Sequence, residues 1–386
     1  MRVALNVEQL MHRPPGGIGR YTAELARLLP ASHDEGEPFD VIPFVARHSR
    51  AKIDRAMGTF GLYDADPVRL FLPRPLLYDT WNLLGFPPLG LLHRSLRGID
   101  LVHAPSLAVP PHSGVPLVVT VHDAAAIVFP ETYPRRGRWF HHRGSITAAK
   151  RADVVIAPTM AAAEEISART PISRDRIRVI PHGVTQLPVG EGVVAAARAT
   201  VGVGADPFVL WVGTVEPRKN LPVLIDAFRI LTQETDLRHR LVIVGPSGWL
   251  DEEAAIRGPA EALGERIHFT GPLRADRLLA LYRGADLFAF PSLHEGFGLP
   301  VLEAMAQSTA VLCADIPVLR EVAGDAARFV TANDPEAWAT SIAEILRDDE
   351  ARQSLARAGR VRAASFTWER CVSRTRAVYR DVLGLS

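Results

Sequence analysis

The sequence predicts an α/β protein made of two doubly wound parallel sheets, each in its own domain. Two observations carry this expectation. Short apolar runs of strand length alternate with helical patterns along the whole chain, which places parallel strands between layers of helices. The 386 residues exceed what one hydrophobic core comfortably serves and suit two domains. A polar stretch rich in glycine and alanine over 184–206 interrupts the pattern. It is expected to link a first domain over 1–183 to a second over 207–365, with a closing helix over 366–386.

In the first half, strands are expected near 3–7, 41–45, 101–104, 117–121, 154–157 and 178–180. Ile18, Tyr21, Leu25 and Leu28 form a helical stripe after the first of them. The second half restarts at 208–212 and continues with 241–244, 267–269, 287–290, 311–314 and 328–330. Asn220 is expected to cap a helix over 224–231 with its side chain. Asp334, followed by Pro335 and Glu336, opens another in the same way.

Composition narrows the function. Hydrophobic residues make up 47% and charged residues 23%, ordinary values for a water-soluble protein. A formal net charge of +1 gives no case for nucleic acid. The two cysteines, Cys313 and Cys371, offer neither a disulfide framework nor a metal cluster and fit a reducing cytosol. The first residues alternate like a strand and lack the apolar core of a signal peptide. No run of about 18 apolar residues is present to span a membrane. A cytoplasmic location is expected, with a peripheral contact at the inner membrane face as an added possibility for partners.

The most informative stretch runs from Phe290 to Ala306 and contains Glu295-Gly-Phe-Gly-Leu-Pro and, eight positions after Glu295, Glu303. It joins a buried strand to a small-residue helix, the edge where open α/β sheets bind ligands. Backbone N–H groups of Gly296, Phe297 and Gly298, with Leu299 and the first helical turn, suit phosphate oxygens. Carboxylates accept hydrogen bonds only, so Glu295 and Glu303 suit sugar hydroxyls. A lone pair of glutamates here is as readily an ordinary acidic helix start. The full string resembles the E-x7-E signature of retaining glycosyltransferases of the GT-B fold, the large family-4 group. That resemblance implies two Rossmann-like domains facing a central cleft, with the last helix returning to the first domain.

Gly213-Thr-Val-Glu-Pro-Arg218-Lys219-Asn220 places two cations at a helix start, where the macrodipole disfavours them and an anion would be welcome. Alone, such a pair is more often two solvated surface charges. In the resembled family the string clamps the donor diphosphate, and the Glu-Pro-Arg-Lys-Asn form is similar to the mannosyltransferase branch. Thr214 stands where many relatives carry arginine, which shifts part of that role to Arg218. Pro14-Pro-Gly-Gly17-Ile-Gly19 lies after the first strand. Thr22 occupies the third glycine position of a dinucleotide fingerprint, so a nicotinamide site is rejected. By resemblance, Gly17 lines the donor or acceptor side. His122 ends a strand and, by the same resemblance, sits near the donor sugar, with His103 as a weaker strand-end candidate. A lone histidine is more often structural. Gly245, in Ile243-Val-Gly-Pro-Ser-Gly248, stands near the nucleotide by resemblance, while a tight turn is its plain reading. Pro181-His182-Gly183 is read as structural and hinge-forming. His141 and His142 read as a solvated helix face. No D-x-D motif or metal-ligand spacing is found, so no metal and no cofactor are expected.

The resemblance therefore implies a metal-independent retaining hexosyltransferase. It would move mannose, or another hexose, from GDP-mannose or another nucleoside diphosphate hexose to a glycan, glycolipid or small-molecule hydroxyl. Arg218, Lys219, Glu295 and His122 are the expected catalytic residues. Gly17, Gly245, Gly296, Phe297, Gly298, Leu299 and Glu303 join all of these but His122 around the donor. The aromatic and basic stretches over 74–97 and 133–140 read first as core and loop, and second as a lipid-phosphate interface. Two other readings share these residues: a nucleotide-sugar epimerase or sugar-phosphate synthase of the same fold, and a non-catalytic nucleotide-sugar binder. Incubation with donor alone separates them, by epimerised sugar or by the absence of hydrolysis.

Overall fold

A computed structural model describes residues 1–12, 16–30, 39–111, 113–246 and 252–385. The chain divides into two compact units, one of Met1–Gly183 with Trp368–Ser386, the other of Val184–Thr367. In the first unit lie β1 (Arg2–Asn6), β2 (Asp40–Val45), β3 (Val68–Arg69), β4 (Leu101–Ala104), β5 (Leu117–Thr120), β6 (Val154–Ala157) and β7 (Ile177–Val179). They form one sheet in the order β3-β2-β1-β4-β5-β6-β7. The second unit holds β8 (Phe208–Val212), β9 (Arg240–Val244), β10 (Ile267–Gly271), β11 (Leu287–Phe290), β12 (Val311–Ala314) and β13 (Arg328–Val330), in the order β10-β9-β8-β11-β12-β13. Every pairing in both sheets is parallel. Each unit is thus a doubly wound, Rossmann-like sheet. The central strands β4, β5, β6, β8, β11 and β12 are buried along their whole length. Helices cover both faces of such strands, which is why they read as unbroken apolar runs rather than alternating ones.

Three expectations are corrected. The edge strand β3 is absent from the sequence reading because two residues carry no periodicity. The expected linker over 184–206 contains the helix Glu191–Thr200, which buries Val194 and Ala197 inside the second unit. Arg198 on that helix ties it down by donating to the carbonyls of Gly204 (2.8 Å), Asp206 (2.6 Å) and Gly284 (3.0 Å). The closing helix starts later than expected, at Trp368, and runs to Val382. Asp334 does cap its helix, accepting from Ala337 N at 3.0 Å.

The closing helix is held in the first unit by polar groups as well as by apolar ones. Arg376 donates to the Leu29 carbonyl and lies over the Phe39 ring at 4.8 Å. Tyr379 hydroxyl meets His103 Nδ1 at 2.6 Å, His103 Nε2 meets Thr120 Oγ1 at 2.9 Å, and Tyr21 hydroxyl meets Thr120 Oγ1 at 3.0 Å. All four residues are fully buried. Burial, with His122 nearby, pushes His103 down to about 3, so its ring is neutral and serves as one donor and one acceptor. His103 is accordingly a core connector and not a ligand-facing strand end. Cys313 and Cys371 are buried free thiols, and burial pushes Cys371 up to about 12.

Tyr379→Phe removes one hydroxyl and leaves His103 Nδ1 buried without its partner. The first unit is expected to lose about 1–3 kcal/mol in urea denaturation. A loss below about 0.5 kcal/mol would show that this chain of hydrogen bonds does not hold the helix.

Candidate functional site

The strand order of the second sheet reverses between β8 and β11. Such a reversal is where open α/β sheets bind ligands, and the loops leaving the carboxyl ends of those two strands meet there. The loop after β8 carries Gly213 to Asn220, and the loop after β11 carries Pro291 to Gly298. Both expected donor motifs therefore arrive at one place in one unit.

Asn220 organises the meeting, though not as expected. It precedes the helix Leu221–Glu234 in a left-handed conformation (φ 52°) and makes no side-chain cap. Asparagine tolerates this conformation better than most residues. Its amide instead donates to the carbonyls of Pro291 (3.2 Å) and Ala332 (2.7 Å), joining the loops after β8, β11 and β13. The turn Pro217–Lys219 is clamped to the second loop by its backbone as well. Leu293 N donates to Arg218 O at 2.8 Å, and Arg218 Nη1 donates to His294 O at 3.1 Å.

Four charges converge inside this clamp. Lys219 Nζ lies 2.5 Å from Glu295 Oε1, which also accepts from Ser292 Oγ at 2.6 Å. Arg218 Nη2 lies 2.7 Å from Glu216 Oε1, and Arg218 Nη1 lies 3.8 Å from Glu295 Oε2. Side-chain exposure is 17% for Arg218, 9% for Lys219, 8% for Glu295 and 5% for Glu216, so the cluster is nearly dry and formally neutral. Burial alone would raise the Glu295 carboxyl; Lys219, then Arg218, with hydrogen bonds from Lys219 and Ser292, outweigh it and hold the group below its usual range. Burial pulls the Lys219 ammonium below its usual value, with Glu295 opposing. Lys219 also stands over the Phe290 ring at 5.1 Å.

The turn into the helix Leu299–Ala306 depends on Gly298, with φ at 91° and an added Cβ meeting Leu319 Cδ2 at 2.6 Å. Gly296 and Phe297 lie in the same buried turn, and Phe297 packs edge-on to Phe366 at 6.0 Å, so its ring serves the core. Leu299 is the first helical residue. Glu303, half-buried on that helix, accepts from the Tyr282 hydroxyl at 3.1 Å. Gly245, in the turn after β9, has φ at 146°, and a Cβ there would fall 1.7 Å from Gly213 O. Its requirement is this close passage of two strand ends. Ser247 and Gly248 lie outside the described residues.

In the first unit, Gly17 stands exposed in the first turn of the helix Gly16–Leu28; Pro14 and Pro15 of its loop lie outside the described residues. His122 follows β5 but both ring nitrogens are committed: Nε2 to Pro105 O at 2.9 Å and Nδ1 to His182 Nε2 at 3.1 Å. A carbonyl only accepts, so Nε2 carries the proton, and His182 Nε2 donates to Nδ1. Burial holds both histidines below the usual range and keeps them neutral. Tyr21 packs on both rings, at 5.3 Å and 4.5 Å. The expected sugar-facing histidine is thus part of a joint between strand-end loops. His141 is half-buried and His142 exposed on one helix.

The sequence reading missed Glu216, Ser292 and Tyr282. Glu216 had a weak signal, two positions before Arg218. Ser292 lies three positions before Glu295 in the same loop, where a lone serine stands out by no pattern; Tyr282 carries no signal, because a neighbouring helix brings it in. Among the described residues no group of three or more His, Cys, Asp or Glu is placed to hold a metal ion. Among the same residues no helix is long and apolar enough to cross a membrane.

The model of the glycosyl transferases group 1 family matches residues 197–362, and that of glycosyltransferase family 4 matches residues 15–185. O-antigen chain mannosyltransferase B of Escherichia coli is 28% identical over 98% of this chain and 100% of its own length. D-inositol 3-phosphate glycosyltransferase of Salinispora arenicola is 31% identical over 97% of this chain and 90% of its own. Among solved structures, Anabaena HepE in complex with UDP and glucose superposes with a TM-score of 0.75, covering 98% of this chain and 99% of that one at 19% identity. The fold is GT-B.

Lys219→Ala leaves Glu295 buried with its nearest cation gone. Breaking such a pair costs about 3–5 kcal/mol, and Arg218 places the expected loss for the second unit near the lower end. The pair of changes Lys219→Met and Glu295→Met together should cost clearly less than either alone. Because the folded carboxyl is depressed, its stabilisation is complete above the unfolded value of about 4.3 and is lost as pH falls toward the folded value. Denaturation of wild type and Glu295→Gln between pH 3 and 7 reads this as a stability gap that closes in acid; a gap that widens there rejects the ion pair.

Proposed function

The chain belongs to the group 1 glycosyltransferases, and from that premise we propose that it transfers mannose from a nucleoside diphosphate donor to a hydroxyl acceptor, with retention at the anomeric carbon. The observation that carries the reading is the neutral cluster of Arg218, Lys219, Glu216 and Glu295 at the strand-order reversal. The departing group is a diphosphate, so the chemistry needs positive charge where negative charge develops. Lys219 and Arg218 supply it. In their resting state both are neutralised by carboxylates. A diphosphate competes with Glu216 and Glu295 for those cations, and the exchange turns Glu295 toward the hydroxyls of the donor hexose. Glu303, steadied by Tyr282, holds the ribose. The turn Gly296–Gly298 with Leu299 receives the diphosphate at the helix start. His122 acts by holding the loop at Pro105. The mannosyltransferase relative favours mannose, and the UDP complex of HepE supports a nucleotide donor.

An exposed apolar patch supports a lipid-linked acceptor over a free sugar. Leu83 (58%), Leu84 (74%), Phe86 (56%) and Leu91 (60%) are exposed, and exposed Arg94 and Arg97 follow them along the chain. Apolar and cationic residues together suit an anionic lipid surface.

A thermal-shift series with GDP- and UDP-sugars is the first test, since a ligand bound only by the folded state raises Tm. GDP-mannose is expected to give the largest rise; no rise with any nucleotide sugar rejects the reading. Donor turnover then separates the glutamates. Glu303→Gln removes a contact present before and during reaction and should mainly raise donor KM, with Tyr282→Phe following in the same direction. Glu295→Gln removes a carboxylate beside a ring that gains positive charge and should mainly lower kcat. Reversed effects would show the roles exchanged.

A further inference from the structure

Two carboxylates neutralise the cations of the candidate site, and they are mounted differently. Glu295 reaches Lys219 and Arg218 from the loop after β11. Glu216 stands in the same loop as both cations, two residues before Arg218. Its Oε1 lies 2.7 Å from Arg218 Nη2, and its side chain is almost wholly buried. Its backbone is extended (φ −146°, ψ 153°) and leads into the turn Pro217–Lys219. The Glu216 carbonyl accepts from Lys219 N at 2.9 Å, and the neighbouring Val215 N donates to Pro246 O at 3.0 Å. Asn220 ties the other end of this short piece of chain to Pro291 and Ala332. The pair of Glu216 and Arg218 is thus built on one strapped segment.

The two mountings differ in consequence once an anion enters. A ligand that draws Lys219 and Arg218 to its oxygens releases Glu295, which belongs to another loop and has sugar hydroxyls to meet. Glu216 has no such exit. Its segment carries Arg218 as well, so the two charges stay within reach of each other. The guanidinium fork is already engaged, Nη2 by Glu216 and Nη1 by His294 O at 3.1 Å. An anion approaching Arg218 therefore meets a carboxylate in place, and like charges repel strongly where water is excluded. Glu216 acts on Lys219 too: burial pulls that ammonium down most, Glu295 opposes most, and Glu216 opposes as well.

We propose that Glu216 is a positioning residue for product release: by competing for Arg218 throughout the cycle, it keeps the hold on the departing nucleoside diphosphate weak enough for that product to leave. The transferase reading above is its premise. A site that stabilises charge developing on a diphosphate also binds the finished diphosphate, and turnover then waits on release. The terminal phosphate gains charge once the sugar has gone, toward about −2. A fixed carboxylate beside the clamp therefore weakens binding of the product more than binding of the donor.

The test is calorimetric titration of the full chain, wild type and Glu216→Gln, with GDP and with UDP, guanosine and uridine serving as uncharged controls. Glutamine keeps the size of the side chain and an oxygen that accepts from Arg218, and Tm checks the fold. The diphosphate that wild type binds is expected to bind Glu216→Gln at least about tenfold more tightly, since one negative charge leaves a dry site. The gain should lie in the dissociation rate, read by stopped-flow displacement of a fluorescently labelled diphosphate. The matching nucleotide sugar should gain less, and the nucleosides should respond alike in both proteins. A merely structural Glu216 predicts the opposite sign, because Arg218 would lose its support and binding would weaken. Unchanged or weaker diphosphate binding overturns the assignment, as does a gain confined to the association rate or shared by the nucleosides. Glu216→Asp keeps the charge but falls one methylene short of Arg218. It should tighten diphosphate binding by a smaller factor, and it decides the question by the same criteria if the glutamine variant does not fold. Absence of diphosphate binding in wild type rejects the transferase reading and this role with it; binding in wild type without a gain in either variant rejects this role alone.

Discussion

A buried carboxylate must have partners, and Glu295 obtains them from a different strand's loop. Its oxygens are met by Lys219 at 2.5 Å and Arg218 at 3.8 Å, both from the loop after β8, while Glu295 itself follows β11. Satisfying that one charge fixes the separation and the register of two loops at the strand-order reversal. The other features of the site follow from it. Ser292 is drawn in to share the same oxygen, Glu216 balances the guanidinium, and the backbones of Arg218 and Leu293 come close enough to bond. Asn220 then ties in a third loop.

Such a cluster is weak evidence for stability, because taking four charges out of water costs about as much as their attraction returns. On the function proposed above, its value is in chemistry. Cations held in a dry pocket by replaceable carboxylates are already oriented when an anion arrives, and the reorganisation needed is an exchange of partners. The first unit has the same construction on a different sheet: Glu8, a buried carboxylate past β1, meets His48 Nε2 at 2.8 Å, and His48 Nδ1 faces Lys52, a cation in the first turn of the helix Arg50–Thr59, at 3.3 Å. In both sheets the carboxyl ends of parallel strands feed helix starts, and the aligned N–H groups there bias the local field toward anions. That bias is what makes a lysine or arginine at such a position informative.

The histidines show the opposite outcome. His122 and His103 stand at strand ends of the first sheet, where a ligand-facing role is a fair expectation. Each has both ring nitrogens bonded to neighbours, half-buried His122 to Pro105 and His182, fully buried His103 to Thr120 and Tyr379. Both are neutral and both act as connectors, which is the commoner fate of a single imidazole in a well-packed edge.

The sequence by itself determined the two sheets, nearly all their strands and the two stretches that meet at the candidate site. Buried parallel strands must be continuous apolar runs, and glycines such as Gly298 and Gly245 stand where the backbone takes angles or approaches that a side chain forbids. These requirements are local, and local pattern records them. The tertiary structure alone decided which charged groups face each other. Pairing Lys219 with Glu295 spans 76 positions, His103 with Tyr379 spans 276, and Glu8 with His48 spans 40. No spacing along the chain encodes such encounters, since they arise from strand order and from the demand that each buried polar group find a partner. The same demand turned Asn220 from a helix cap into a bridge between loops, and made a packed helix of the stretch expected as a linker.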